Sequence, residues 1–173
     1  MFVDKYMYYL SRISMLRTTL EIIYFLNILY LSFHYYKLFL NVVKLRRKTK
    51  VTIGFKSKKL ERAIRAHSNF CETVPFILLV SFILYFNNLL IFATASTLTL
   101  SLGRKIHSKA ISDINENIID RRKGMRLTML SLAIGFIGIA FYISKLIFFY
   151  YQSSFYTTYL PQFLDFFSIY SII

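Results

Sequence analysis

The 173-residue sequence holds a single cysteine, Cys71, so no internal disulfide is possible and the small secreted domains stapled by disulfides are excluded. Acidic residues are also scarce: eight Asp and Glu stand against 22 Lys and Arg, a formal net charge of +14. There is no Walker loop, dinucleotide-binding fingerprint or Ser-His-Asp arrangement. Three dispersed histidines do not make metal-ligand spacing, so no metal is expected. Neither a solenoid repeat nor a low-complexity linker occurs. The apolar runs show no period-2 alternation and exceed strand length, which argues against transmembrane strands.

What is present is apolar: 56% of residues are hydrophobic and 18% aromatic. Disordered chains are poor in such residues. A soluble nucleic-acid binder could carry the charge but not the long Phe-, Tyr-, Ile- and Leu-rich stretches beside it, so no nucleic-acid partner is expected. The length suits one domain. The remaining class is a small integral membrane protein whose basic residues lie outside its apolar segments.

A helix crossing the roughly 30 Å hydrocarbon layer needs about 20 mainly apolar residues. Four stretches qualify, near 22–43, 70–86, 89–102 and 125–149, the third being short; they predict an all-α, multi-pass four-helix bundle. Ten basic residues lie between Lys44 and Arg65 and seven between Arg104 and Arg126, whereas the turn at Asn87 and Asn88 has none. By the positive-inside rule, the connections 44–65 and 104–126 face the cytoplasm and both termini face the opposite side. Residues 1–19 form an aromatic, mildly basic extension without a clean signal-peptide pattern. Residues 20–151 make the membrane domain. Residues 152–173, aromatic-rich around Pro161, suit the bilayer interface better than a fifth span.

The most informative run is Glu61 to Pro75. At 100° per residue, Glu61, Arg62, Arg65, Asn69 and Glu72 share an arc of about 100°. One helix face therefore carries acid, base, base, amide and acid at the edge of membrane-type sequence. An ionised Glu72 there needs a partner or a water-filled cleft. One reading is an ion-pair ladder, with Arg62 or Arg65 neutralising Glu72. The other is a pocket for a small zwitterionic or anionic ligand such as a peptide with free termini: arginine forks grip carboxylates, Asn donates and accepts, and Glu holds an ammonium. Beside this stripe, His67 reads as a surface or interhelix residue, His34 as a neutral interhelix hydrogen-bonding group, Cys71 as a packing residue and Pro75 as a bend. The basic connections also suit anionic lipid.

The run ERxxRAHxNxxExxP resembles the signature of the MAPEG family, the membrane-associated proteins of eicosanoid and glutathione metabolism. Lys44-Leu45-Arg46-Arg47 resembles that family's basic exit from the first helix, and Gly103-Arg104-Lys105-Ile106-His107 its GRxxH. Arg122-Lys123-Gly124-Met125-Arg126-Leu127-Thr128 resembles the RxxGMxLT of its small bacterial branch. The likeness runs in order from Ile22 to Phe149. It implies a homotrimer with glutathione, as co-substrate, in clefts between subunits near the cytoplasmic face. The same likeness implies that Arg65, Asn69 and Glu72 hold the peptide's termini, joined by Arg62, Lys44, Arg104 and His107.

Enzymes of that family direct the glutathione thiol at an apolar electrophile or hydroperoxide dissolved in the bilayer. A thiol with a pKa near 8.5 is mostly protonated at neutral pH, and a nearby guanidinium favours the thiolate. Arg122 or Arg126, at the start of the fourth helix, would supply it, with Lys123 a further cation in the same segment. Gly124, Met125 and Leu127 stand where better-known members place an assisting Ser or Tyr. The sequence is therefore read as a glutathione-dependent transferase or peroxidase. A non-catalytic membrane protein that keeps the fold, as a glutathione binder or a structural or regulatory partner, is the alternative. A small transporter would be expected to show a paired repeat, and none is evident.

Overall fold

A computed structural model describes the backbone over residues 2–170 and side chains over residues 11–153. It contains four α-helices: α1 Phe2–Thr49, α2 Lys58–Phe86, α3 Leu90–Ser112 and α4 Ile118–Tyr170. The chain forms two compact units, Met1–Gly138 and Ile139–Ile173. The first contains the helix bundle described below.

Local chemistry sets the connections. Ser57 caps α2, its hydroxyl accepting from the Leu60 amide at 3.2 Å, and Glu61 complements the positive end of the helix. At the other end of α2, Asn88 turns the chain with φ of 60°, a left-handed conformation that Asn tolerates, and α3 begins two residues later. After α1, Lys50 is also left-handed, at 51°. Arg46 then clamps the connection by donating to the carbonyls of Thr52 at 2.8 Å and Gly54 at 3.3 Å. Asn117 Oδ1 accepts from the amides of Ile119 and Asp120 and caps α4. Pro75 lies inside α2, which continues past it to Phe86.

Three of the four helices are long and apolar enough to cross a membrane: α1 over Ser11–Thr49, α2, and α4 over Ile118–Ser153. The third apolar run does not reach that standard, because α3 is rich in Ser and Thr. Its position explains the composition. α3 buries residues on several sides, among them Ser96, Thr97, Leu100, Ser101, Gly103 and Arg104. Its hydroxyls turn back onto the helix: Thr97 donates to the Ala93 carbonyl at 3.0 Å, Ser101 to Thr97 at 2.9 Å and Ser108 to Arg104 at 2.7 Å. A helix enclosed on most sides has its polar groups satisfied inside, and only a narrow face with Ile91, Leu98 and Leu102 is left exposed.

Around it, Leu31 and Leu38 of α1, Phe70, Val74 and Ile77 of α2, and Leu100 of α3 form the apolar core. The fourth helix docks by a different device. Its small residues Gly124, Thr128, Ser131, Gly135 and Gly138 recur at spacings of four and three, making a stripe that lets backbones approach closely. A Cβ on Gly124 would lie 2.6 Å from both the backbone nitrogen and the Cβ of His107, and one on Gly103 would lie 3.0 Å from the Gly124 carbonyl oxygen. Further along, Ser96 and Ser131 exchange hydrogen bonds to each other's carbonyls, at 3.0 and 2.8 Å. At Gly135 and Gly138 the stripe meets Val80 and Leu84 of α2. α4 thus rests in the furrow between α2 and α3.

The outward faces of these helices carry exposed Phe25, Phe33, Phe82, Phe136 and many aliphatic residues, the surface expected of a chain solvated by lipid. In the second unit, Lys145 lies over the Phe149 ring, 5.8 Å from its centroid, a cation–π contact that eases a charge within an apolar run. The aromatic side chains of the tail from Phe155 onward lie outside the described residues.

Candidate functional site

The first four turns of α2 and the connection from α3 to α4 enclose a cleft of about 340 Å³. The polar stripe lines it: Glu61, Arg62, Arg65, Asn69 and Glu72 all face this space, joined by Ser68. The helical spacing placed these side chains on one arc, and the bundle leaves that arc uncovered. Ten residues line the cleft, and seven of them are charged.

The ion-pair ladder inside the stripe does not form. Arg62 turns across to the α3–α4 connection, where it meets Glu116 at 2.9 Å and donates to the Ile111 carbonyl at 3.2 Å. The other oxygen of Glu116 takes Arg121, at 2.7 Å. One carboxylate thus ties α2 to the start of α4. Hydrogen bonds from Arg62 and then Arg121 hold its pKa below the usual carboxylate value. Glu72 accepts from the Ser68 hydroxyl at 2.9 Å. Among the described residues, neither Glu72 nor Arg65 has an ion-pair partner, and both are exposed. The cleft presents an unpaired acid and an unpaired base seven residues apart, about 10 Å along the helix axis.

Arg104 lies behind this surface. Its side chain is fully buried and donates to Asn69 Oδ1 at 2.8 Å, to the Thr73 hydroxyl at 3.1 Å and to the Thr128 hydroxyl at 2.5 Å. It joins α2, α3 and α4 at one point. Anchoring the Asn69 carbonyl leaves the amide NH2 as that residue's free donor. Arg104 does not line the cleft; it reaches it through Asn69. Its Nε has no partner, and no carboxylate neutralises it among the described residues. His107 is buried beneath Gly124, where its backbone forms the α3–α4 crossing, and it too lies outside the cleft lining.

The remaining expected residues are elsewhere. Lys44 lines a separate groove between α1 and α3. Arg122 and Arg126 are exposed and do not line the cleft within this subunit; Arg121 is the α4 cation that does. Lys58, Glu116 and Arg121 join the site without having been singled out in the sequence. The signal for Glu116 was available: it is one of few acids in a basic connection. His34 makes the interhelix hydrogen bond expected of it, its Nε2 lying 2.7 Å from Ser108 Oγ. His67 packs against α1, its ring tilted 38° to that of Tyr35 with centroids 5.3 Å apart. Cys71, read as a packing residue in a lipid-buried setting, is exposed on the outside of the bundle near His67. No group of His, Cys, Asp and Glu among the described residues could hold a metal ion.

No curated protein matches the chain. The MAPEG family model matches residues 24–141, a stretch that includes the stripe on α2, the buried Arg104 and the glycine crossing at the start of α4. With the match covering well over half of the sequence, and an integral membrane bundle of four helices beneath it, the chain belongs to the MAPEG family.

Proposed function

We propose that the protein is a glutathione-dependent membrane enzyme of the transferase or peroxidase type, acting on a hydrophobic electrophile or hydroperoxide. The observation that carries this reading is the open pair of opposite charges on α2. Arg65 suits a carboxylate and Glu72 an ammonium group, and their separation of about 10 Å matches an extended tripeptide at 3.3–3.6 Å per residue. Asn69, oriented by Arg104, stands between them as a donor. At about 340 Å³ the cleft lies at the small end of ligand-binding pockets.

The thiol end of the bound peptide requires a cation to favour the thiolate. Arg121 lines the cleft of its own subunit, while Arg122 or Arg126 would serve from a neighbouring copy. The thiolate sulfur would then form a bond to an electrophilic carbon, and the leaving group would depart with its electron pair. A homotrimer completes the site: Lys44, and the buried His107 through the α3–α4 crossing, would contribute across or beside the subunit boundary. This assembly, affiliation with the small bacterial branch, and a cytoplasmic position for both basic connections belong to the same proposal. So does the division into a membrane domain over 20–151 with extensions at each end.

The test is isothermal titration of the detergent-solubilised protein with glutathione, followed by conjugation of a generic aryl halide. No binding at millimolar ligand would sink the reading. A second reading, a non-catalytic glutathione binder, is favoured by one feature: no tyrosine lines the cleft, and its Ser68 hydroxyl is engaged by Glu72. Normal binding without conjugation or peroxide turnover would select it.

A further inference from the structure

The groove that holds Lys44 is larger than the polar cleft, about 790 Å³, and shares no residue with it. It has a distinct chemistry. Lys37 and Lys44 rise from α1 seven residues apart, and Lys105 and Lys109 from α3 four residues apart, so each pair shares a helix face. The groove lining includes no acidic residue, and none of the four lysines makes an ion pair among the described residues. Leu38 and Leu40 lie between Lys37 and Lys44, and Tyr30 and Phe33 line the groove deeper along α1. His34 and Ser108, hydrogen-bonded to each other, lie on the inner side of Lys37.

Lys37 is the informative member. It lies about 10 Å further into the apolar helix than Lys44. An ammonium at that depth is costly unless it reaches the interface or meets an anion. A groove with cations at two depths, apolar residues between and below them and no internal counter-charge fits an amphiphile with an anionic head. Basic pockets between transmembrane helices take lipid headgroups in this way.

We propose that this α1–α3 groove is a binding site for one anionic phospholipid. Its phosphate sits among Lys37, Lys105 and Lys109, with Lys44 at the rim, and an acyl chain lies along Tyr30 and Phe33. No residue lining the polar cleft takes part, and Lys44, which the trimer reading also gives to glutathione, is left unchanged in the variants below.

Native mass spectrometry of the detergent-solubilised full chain tests it, with dioleoylphosphatidylglycerol and dioleoylphosphatidylcholine as probes. The expected result is preferential retention of phosphatidylglycerol by wild type and loss of most of that preference in K37Q/K105Q/K109Q. The control K48Q/K50Q/K56Q removes the same charge from the α1–α2 side and keeps the preference. Equal retention of the two lipids, an unchanged preference in the groove variant, or equal loss in the control would overturn the site. Occupation by a second copy is a further contrary outcome: in a Cys71→Ser background, Lys105→Cys would then cross-link efficiently between chains through a short bismaleimide. Circular dichroism melts of the groove variant confirm folding, and glutathione titration of the same variant separates failure of this site from failure of the cleft.

Discussion

Gly124→Ala is the sharpest structural perturbation available. The new Cβ would meet the nitrogen and Cβ of His107 at 2.6 Å and its Cα at 2.7 Å, where carbon atoms prefer about 3.5–4.0 Å. Two of those three atoms are backbone, so no rotamer change relieves the clash; α3 and α4 must separate by about 1 Å. Overpacking of this kind costs about 1–3 kcal/mol. Separation also stretches the Arg104–Thr128 bond and the reciprocal Ser96–Ser131 pair, and interhelix hydrogen bonds in membranes contribute about 0.6–1.7 kcal/mol. A loss of about 2–4 kcal/mol follows, and a chain of this length shifts its melting midpoint by about 2–4 °C per kcal/mol. Circular dichroism melts in one detergent should therefore show Gly124→Ala unfolding about 5–15 °C below wild type, with Met129→Ala on the exposed face as control. An unchanged midpoint would refute the backbone crossing.

Three other substitutions probe separate contacts. Arg104→Met frees the Asn69 carboxamide to rotate; glutathione affinity should fall about tenfold, or 1.4 kcal/mol, by titration, with helicity retained. Ser131→Val removes the hydroxyl from the exchanged pair with Ser96 and should lower the melting midpoint by a few degrees, whereas Ser144→Val, on an exposed turn, should not. Glu116 has a depressed pKa, so its contribution is fully present above its unfolded value of 4.5 and is lost as pH falls through the lower folded value. Thermal stability should decline as pH falls from 4.5 through the folded value, and Glu116→Gln should show a smaller decline than wild type.

The sequence made several features legible and hid others for definable reasons. Helix number and order followed from run length, and the cleft-lining stripe from 100° spacing, because both are local periodicities. The polarity of α3 concealed its place as the most enclosed helix: a hydropathy reading assumes that a spanning helix faces lipid, whereas α3 turns most of its surface to other helices. That Arg121 rather than Arg122 lines the cleft turns on a single residue, and one residue is 100° of rotation. Only docking of α4 through Gly124 fixes that rotation. Arg104 was a ligand contact only by family resemblance; in the structure its buried guanidinium donates to the Asn69 amide oxygen from behind the cleft. Lys44 and Arg65 sit at neighbouring helix ends in sequence terms, yet they line different surfaces of one subunit.

The central claim is that the α2 cleft grips a tripeptide by its two ends, Arg65 taking a carboxylate and Glu72 an ammonium. Titration of wild type, Arg65→Ala and Glu72→Ala with glutathione in the same detergent tests it most directly. The account predicts binding by wild type and a loss of about tenfold or more in each variant, with melting midpoints unchanged because neither side chain has an ion-pair partner within the described subunit. Equal affinity in all three proteins would contradict it.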